Sequence, residues 1–192
     1  MTRIKKHYRI HWVRLVTAAI IVLACIAAAG LYCSDDHGGT CMIRQAVQHD
    51  LYDTDCPIVK TALKEVGNRG GEKYWRWYGF DYHVAWCGCF VSWCGEQHGY
   101  VSEGRMPKFV YVPDGVNWFK AEGQWKDSDY TPEAGNIIFF TDNKSGIGSH
   151  VGIVGGCGSG RVYTIEGNRR NKCIKASYPL KSRKILGYGM IK

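Results

Sequence analysis

The hydrophobic pattern changes three times along the chain. Leu15 to Cys33, LVTAAIIVLACIAAAGLYC, is a run of 19 residues in which Thr17 is the only polar side chain. A helix of that length spans about 30 Å, the thickness of bilayer hydrocarbon, and its even apolarity argues against a buried soluble helix. From Ser34 to Tyr52 the chain is mixed and polar, which predicts a tether. Pro57 to Val66 then places apolar residues at helical spacing, with Pro at the first turn and Gly67 just past the end. A second helix is expected from near Trp86 to Gly95 or Gly99, and a third over Val116 to Ala121 with Asp114 as its cap.

Beyond Pro132 the period falls from 3.6 to 2. Ile137–Phe140, His150–Val154, Arg161–Ile165, Ile174–Tyr178 and Ile185–Ile191 read as short strands between Gly, Asn and Ser turns. Helices followed by a meandering antiparallel sheet predict an α+β domain. The organisation expected is a basic N-terminus (1–14), a membrane anchor or signal segment (15–33), a tether (34–55) and one folded domain (56–192).

Charge sharpens the membrane reading. The net charge of +8 suggests nucleic acid until its distribution is considered: Arg3, Lys5, Lys6, Arg9 and Arg14 precede the apolar run, and the other 20 basic residues face 17 acidic ones. No basic stripe interleaved with aromatics follows, which argues against nucleic-acid binding. Cations before the run and Asp35-Asp36 after it predict a cytoplasmic N-terminus, with the remainder outside a cell membrane as a single-pass protein. The alternatives are secretion after cleavage near Ala27-Ala28-Ala29, or lipidation at the loose lipobox Val22-Leu23-Ala24-Cys25.

The densest chemistry is Val84-Ala85-Trp86-Cys87-Gly88-Cys89-Phe90-Val91-Ser92-Trp93-Cys94. On a helix, Cys87, Phe90, Val91 and Cys94 share one face and Cys89 lies off it. Cys87 falls in the first turn, where free N–H groups and the helix dipole stabilise a thiolate. Such a nucleophile needs a proton acceptor and a group to orient that acceptor. His98 is about 16 Å along the same helix and cannot serve. His150 opens a strand, and the next strand ends in Glu166-Gly167-Asn168, which offers a carboxylate or an amide. A zinc site from Cys89, Cys94 and His98 lacks the short Cys pair that structural zinc prefers. Neither a metal nor a cofactor is therefore expected. Export permits disulfides, and Cys157 with Cys173 is the pair that flanking strands favour. The ring-dense segment Tyr74–Phe80 either packs under a loop or lines a surface. Trp75, Trp77, Tyr78 and Trp86 are its candidates, with the neighbouring segment, for binding substrate.

Taken in order, Trp86-Cys87-Gly88-Cys89-Phe90-Val91-Ser92-Trp93, Pro132-Glu133-Ala134-Gly135-Asn136-Ile137-Ile138-Phe139-Phe140, Ser149-His150-Val151-Gly152-Ile153-Val154 and Ile165-Glu166-Gly167-Asn168 resemble the successive motifs of CHAP domains, relatives of the NlpC/P60 peptidases. The resemblance implies a papain-like α+β fold, with helices packed on an antiparallel sheet. It also implies hydrolysis of bacterial peptidoglycan at the muramoyl–alanine amide or within the stem or cross-bridge peptide. Cys87 takes the family's nucleophile position, His150 the histidine, and Glu166 and Asn168 the orienting positions. Asn136 departs from the aspartate usual after the glycine of the Pro-x-x-Gly motif, a position read as structural. Other readings on the same fold are an idle wall-binding or scaffold module, or an acyltransferase in which an amine resolves the thioester. By analogy alone, an anchored wall hydrolase would serve a secretion or conjugation apparatus.

Overall fold

The computed structural model describes residues 51–142 and 146–192. The expected membrane segment 15–33, the basic N-terminus and nearly all of the tether lie outside the described residues. Among the described residues, no helix is long and apolar enough to cross a membrane. Four helices come first among the described residues: α1 (Pro57–Lys64), α2 (Glu72–Tyr78), α3 (Cys87–Glu96) and α4 (Val112–Ala121). Six strands follow: β1 (Trp125–Asp127), β2 (Ile137–Thr141), β3 (Gly148–Gly158), β4 (Arg161–Glu166), β5 (Ile174–Pro179) and β6 (Ile185–Gly189).

The α+β expectation and the five expected strands hold, but two elements escaped the pattern. The aromatic segment is the helix α2, which runs between Gly71 and Gly79, both at positive φ. Gly71 has a second constraint: a Cβ there would lie 2.2 Å from the Trp86 ring, so Trp86 packs only against a bare backbone. The other missed element, β1, is a three-residue edge strand, too short to display alternation. Asp114 also differs from expectation. Helix α4 begins two residues earlier, with Pro113 in its first turn, so Asp114 lies inside that turn and its charge favours the dipole without capping.

The sheet has the order β1-β6-β2-β3-β4-β5 and every pairing is antiparallel. It is a meander only from β2 to β5. Strand β6 returns to the far edge of β2, pairing Tyr188 with Ile138, and β1 adds outside it. Ile137, Phe139, Val151, Ile153 and Ile165 join α1, α3 and α4 in the main core, while Ile138, Phe140, Val154, Val162, Ile185 and Tyr188 form a second cluster. Tyr52 packs into the main core, and the Asp53 amide donates to the Gly155 carbonyl at 2.8 Å. The chain thus meets the sheet ahead of residue 56.

Helix α3 is buried on every side from Cys87 to Gly95. One flank, Gly88 and Ser92, abuts the segment 107–110: a Cβ on Gly88 would come 2.8 Å from the Val110 carbonyl oxygen. Ser92 Oγ accepts from the Phe109 amide at 3.0 Å and donates to the Phe109 carbonyl at 3.2 Å, which satisfies the one hydroxyl in the helix. Another flank, Phe90 and Trp93, packs on Tyr74 of α2. A helix buried all round fixes the orientation of its first residue.

Candidate active site

Cys87 is the first residue of α3 and is 5% exposed. Trp86 precedes it and supplies no side-chain cap, so the first amides of the helix have no intrahelical partner and no capping oxygen. They are free to face negative charge beside the thiol.

His150 lies near the start of β3, two residues past Gly148. Alternation sends Val151 and Ile153 into the core beneath the helices and keeps His150 and Gly152 on the other side of the strand. Register pairs Ile153 with Ile165, which sets Glu166 beside Gly152. Glu166 is fully buried, and its carboxylate meets three groups: His150 Nε2 at 2.9 Å, Thr164 Oγ1 at 2.6 Å and Arg169 Nε at 3.4 Å. Thr164 and Glu166 sit two apart on one strand and so face the same way. Glu166 takes Nε2, which leaves Nδ1 as the ring nitrogen for another partner, and Cys87 is among the groups that favour the charged imidazole.

The electrostatics follow from these contacts. Burial alone would lower the His150 pKa, but the Cys87 and Glu166 side chains outweigh it and raise it to about 9. Burial alone would raise the Glu166 pKa; His150, aided by the Thr164 hydroxyl, outweighs that and holds it below the usual carboxylate value. Both shifts favour an imidazolium against a carboxylate. Burial acts on the neighbouring thiols. Cys89 is pushed up to about 12, by burial first and then by Cys87, and burial likewise raises Cys94 and takes Cys173 to about 12. Cys87 is the member of the trio that favours the charged His150.

Asn168 does not reach the imidazole in this way. It stands half-buried in a left-handed turn (φ 62°) after β4, and Glu166 is the group bonded to His150. The aromatic candidates divide. Trp86 is fully buried and stacks on Tyr74, and Trp75 is buried with its indole N–H on the Gly70 carbonyl, so both belong to the core and neither offers a face to a ligand. Trp77 and Tyr78 remain half-exposed, with the Lys108 ammonium over both rings.

The favoured disulfide is absent: Cys157 and Cys173 are both free thiols, Cys157 exposed and Cys173 buried. Cys157 is level with Val162 at one end of β4, whereas Cys173 precedes Ile174, which pairs with Glu166 at the other end. Nor do Cys89, Cys94 and His98 converge, since His98 Nε2 pairs with Thr61 Oγ1 at 2.8 Å. Asn136 closes its turn by accepting from the Glu133 amide at 2.9 Å, a role for the side-chain oxygen that an aspartate would fill equally. Sequence reasoning missed Thr164 and Gly152. The first was signalled by its spacing of two from Glu166, the second by nothing short of the strand register.

The family model for the CHAP domain matches residues 77–168, from the end of α2 to the turn after β4. That stretch is similar to a CHAP domain. It includes Cys87, His150 and Glu166. No curated protein matches the sequence. Among solved structures, the chain is similar to the crystal structure of Ly7917 and to that of Ly7917 with the hydrolyzing product of MDP. Each is 17% identical with a TM-score of 0.47, over 70% of this chain. The chain spans 61% and 62% of the length of those two chains.

Proposed function

We propose that this CHAP-like domain hydrolyses an amide bond of bacterial peptidoglycan, with Cys87 as nucleophile, His150 as general base and acid, and Glu166 as the group that orients His150. The observation that carries the reading is the row of an uncapped helix start, a histidine whose raised pKa favours the imidazolium, and a buried carboxylate 2.9 Å from its far nitrogen. Such a row is what thiol acyl transfer requires. The Cys87 thiol passes its proton to His150, and the thiolate attacks the amide carbon. The carbonyl electron pair moves to oxygen, beside the free amides of the first turn of α3. Collapse breaks the C–N bond, and the leaving amine takes the proton from His150. A water that gives its proton to His150 then attacks the thioester, which releases the carboxylic acid and restores the thiol. Glu166 keeps its charge throughout and holds the ring orientation; Asn168 is assigned to the turn.

Residues 15–33, read as a membrane anchor, would keep this hydrolase close to the outer face of the membrane and restrict it to nearby wall. The test is digestion of purified peptidoglycan by the full chain in mild detergent, with new termini identified by mass. New amine and carboxyl termini from the wild type and none from Cys87→Ala support hydrolysis. Transfer of the acyl group to an added amine in preference to water supports the acyltransferase instead, and no product from either protein supports an idle module.

A further inference from the structure

The loop after Glu166 reads Gly167-Asn168-Arg169-Arg170-Asn171-Lys172, and three of its residues, Asn168, Arg170 and Asn171, have left-handed φ of 62°, 51° and 61°. Left-handed backbone is disfavoured for side chains with a Cβ, and an arginine there requires restraint by its surroundings. Restraint comes from both sides. Asn171 Oδ1 accepts from the Trp86 indole at 3.0 Å and pairs with His83 Nε2 at 3.2 Å, and the Gly70 amide donates to the Asn171 carbonyl at 3.1 Å. Arg69 and Lys172 form a β-bridge. Gly167 presses so closely on α3 that a Cβ would lie 2.6 Å from Phe90 Cβ. The loop is therefore fastened to the segment that leads into Cys87.

The fastening holds two arginines at a cavity. Asn168, Arg169, Arg170 and Ile174 line a space of about 430 Å³ beside the Glu166 end of the site. Arg169 turns Nε toward Glu166 and is 47% exposed, which leaves the rest of its guanidinium for another acceptor. Arg170 is exposed and forms no ion pair among the described residues. Nearby acids are engaged elsewhere: Glu65 with Lys73, Glu72 with Arg76, and Glu166 beneath His150.

We infer that this cavity is a carboxylate subsite, in which Arg169 and Arg170 hold a free carboxylate of the peptide substrate and select it over the amidated counterpart. The inference rests on the hydrolase reading for its substrate class. A guanidinium fork matches a carboxylate with two parallel bonds, whereas a neutral amide offers one acceptor and no charge. Discrimination then arises from the pairing lost as well as the pairing made.

Binding tests this without chemistry. The full chain carrying Cys87→Ala is titrated with two synthetic stem peptides that differ only in whether one glutamyl carboxylate is free or amidated. The free acid is expected to bind about tenfold tighter. Adding Arg170→Gln should bring the ratio below twofold, and Arg170→Lys should restore part of it, with thermal melts showing that each variant is folded. A preference that survives Arg170→Gln, or equal binding of the two peptides at the outset, overturns the subsite. The preference with no turnover by the wild type would sustain the subsite and count against the hydrolase reading alone.

Discussion

His150 Nε2 stands 2.9 Å from Glu166 Oε2, and the carboxylate lies where it does because residue 152 has no side chain. A Cβ on Gly152 would come 2.7 Å from Glu166 Cγ and 3.1 Å from the Ile165 carbonyl oxygen. The backbone oxygen cannot yield without disturbing the β3–β4 ladder, so Glu166 must move. Gly152→Ala is expected to cost about 1–3 kcal/mol of stability, the usual range for overpacking. Because that shift falls on the orienting carboxylate, peptidoglycan hydrolysis should drop at least tenfold at a temperature where melting curves show the variant folded. Wild-type turnover by a folded Gly152→Ala protein would refute the arrangement.

Thr164 donates to the second oxygen of Glu166 at 2.6 Å in a fully buried setting. Thr164→Val keeps the shape and removes the donor. A buried hydrogen bond to a charged group contributes about 1.5–3 kcal/mol. We expect Thr164→Val to lower kcat/KM about tenfold and Thr164→Ser to recover most of it. Equal activities of the Val and Ser variants would show that the hydroxyl is incidental.

The pH dependence of stability follows from the directions of the two shifts. The folded His150 pKa, about 9, lies above the ordinary 6.5, so its contribution is complete below pH 6.5 and is lost as pH rises toward 9. Glu166 is held below its ordinary 4.5; its contribution is present above that value and is lost as pH falls through the folded one. Denaturant melts of the wild type should therefore show highest stability between about pH 5 and 6.5, with a decline toward pH 9 on the order of 2–3 kcal/mol at most. In His150→Gln that alkaline decline should flatten. An unchanged slope in the variant would assign it to other groups.

Cysteine chemistry offers a separate check. Burial pushes Cys89 and Cys173 up to about 12 and raises Cys94, and Cys157 is exposed. With Cys157→Ser as background, iodoacetamide at neutral pH should alkylate Cys87 first among Cys56, Cys87, Cys89, Cys94 and Cys173, as read by peptide mapping. Cys89→Ala should retain activity and Cys87→Ala should have none. The reverse result would exchange the two assignments.

The pattern of apolar positions was enough to place α1, α3 and five of the strands: α1 buries Ile58, Val59 and Ala62 at helical spacing, and the others are apolar runs bounded by glycine, asparagine and serine turns. It failed at α2, where rings at four of seven positions drew the reading toward a loop or a surface, and at β1, which is too short to have a period. Cys87 and His150 stood out in the sequence for a local reason, each being the chemical residue at or near the start of its element. Spacing around α3 separated Cys87 from Cys89 and Cys94, yet the helix is buried on all sides, so the separation rests on what each thiol faces and not on an exposed seam.

By itself the sequence determined which residues carry reactive groups and which elements hold them near their starts, since these are properties of single positions and local patterns. The tertiary structure decided the partnerships. That Glu166 bonds the imidazole depends on a β3–β4 register that puts Gly152 beside Glu166, and the burial of Trp86 depends on its stacking against Tyr74 and the bare backbone of Gly71, both more than ten residues away in the chain. Cys157 and Cys173 stay apart because an antiparallel strand carries its two ends in opposite directions, and the length of β4 separates them.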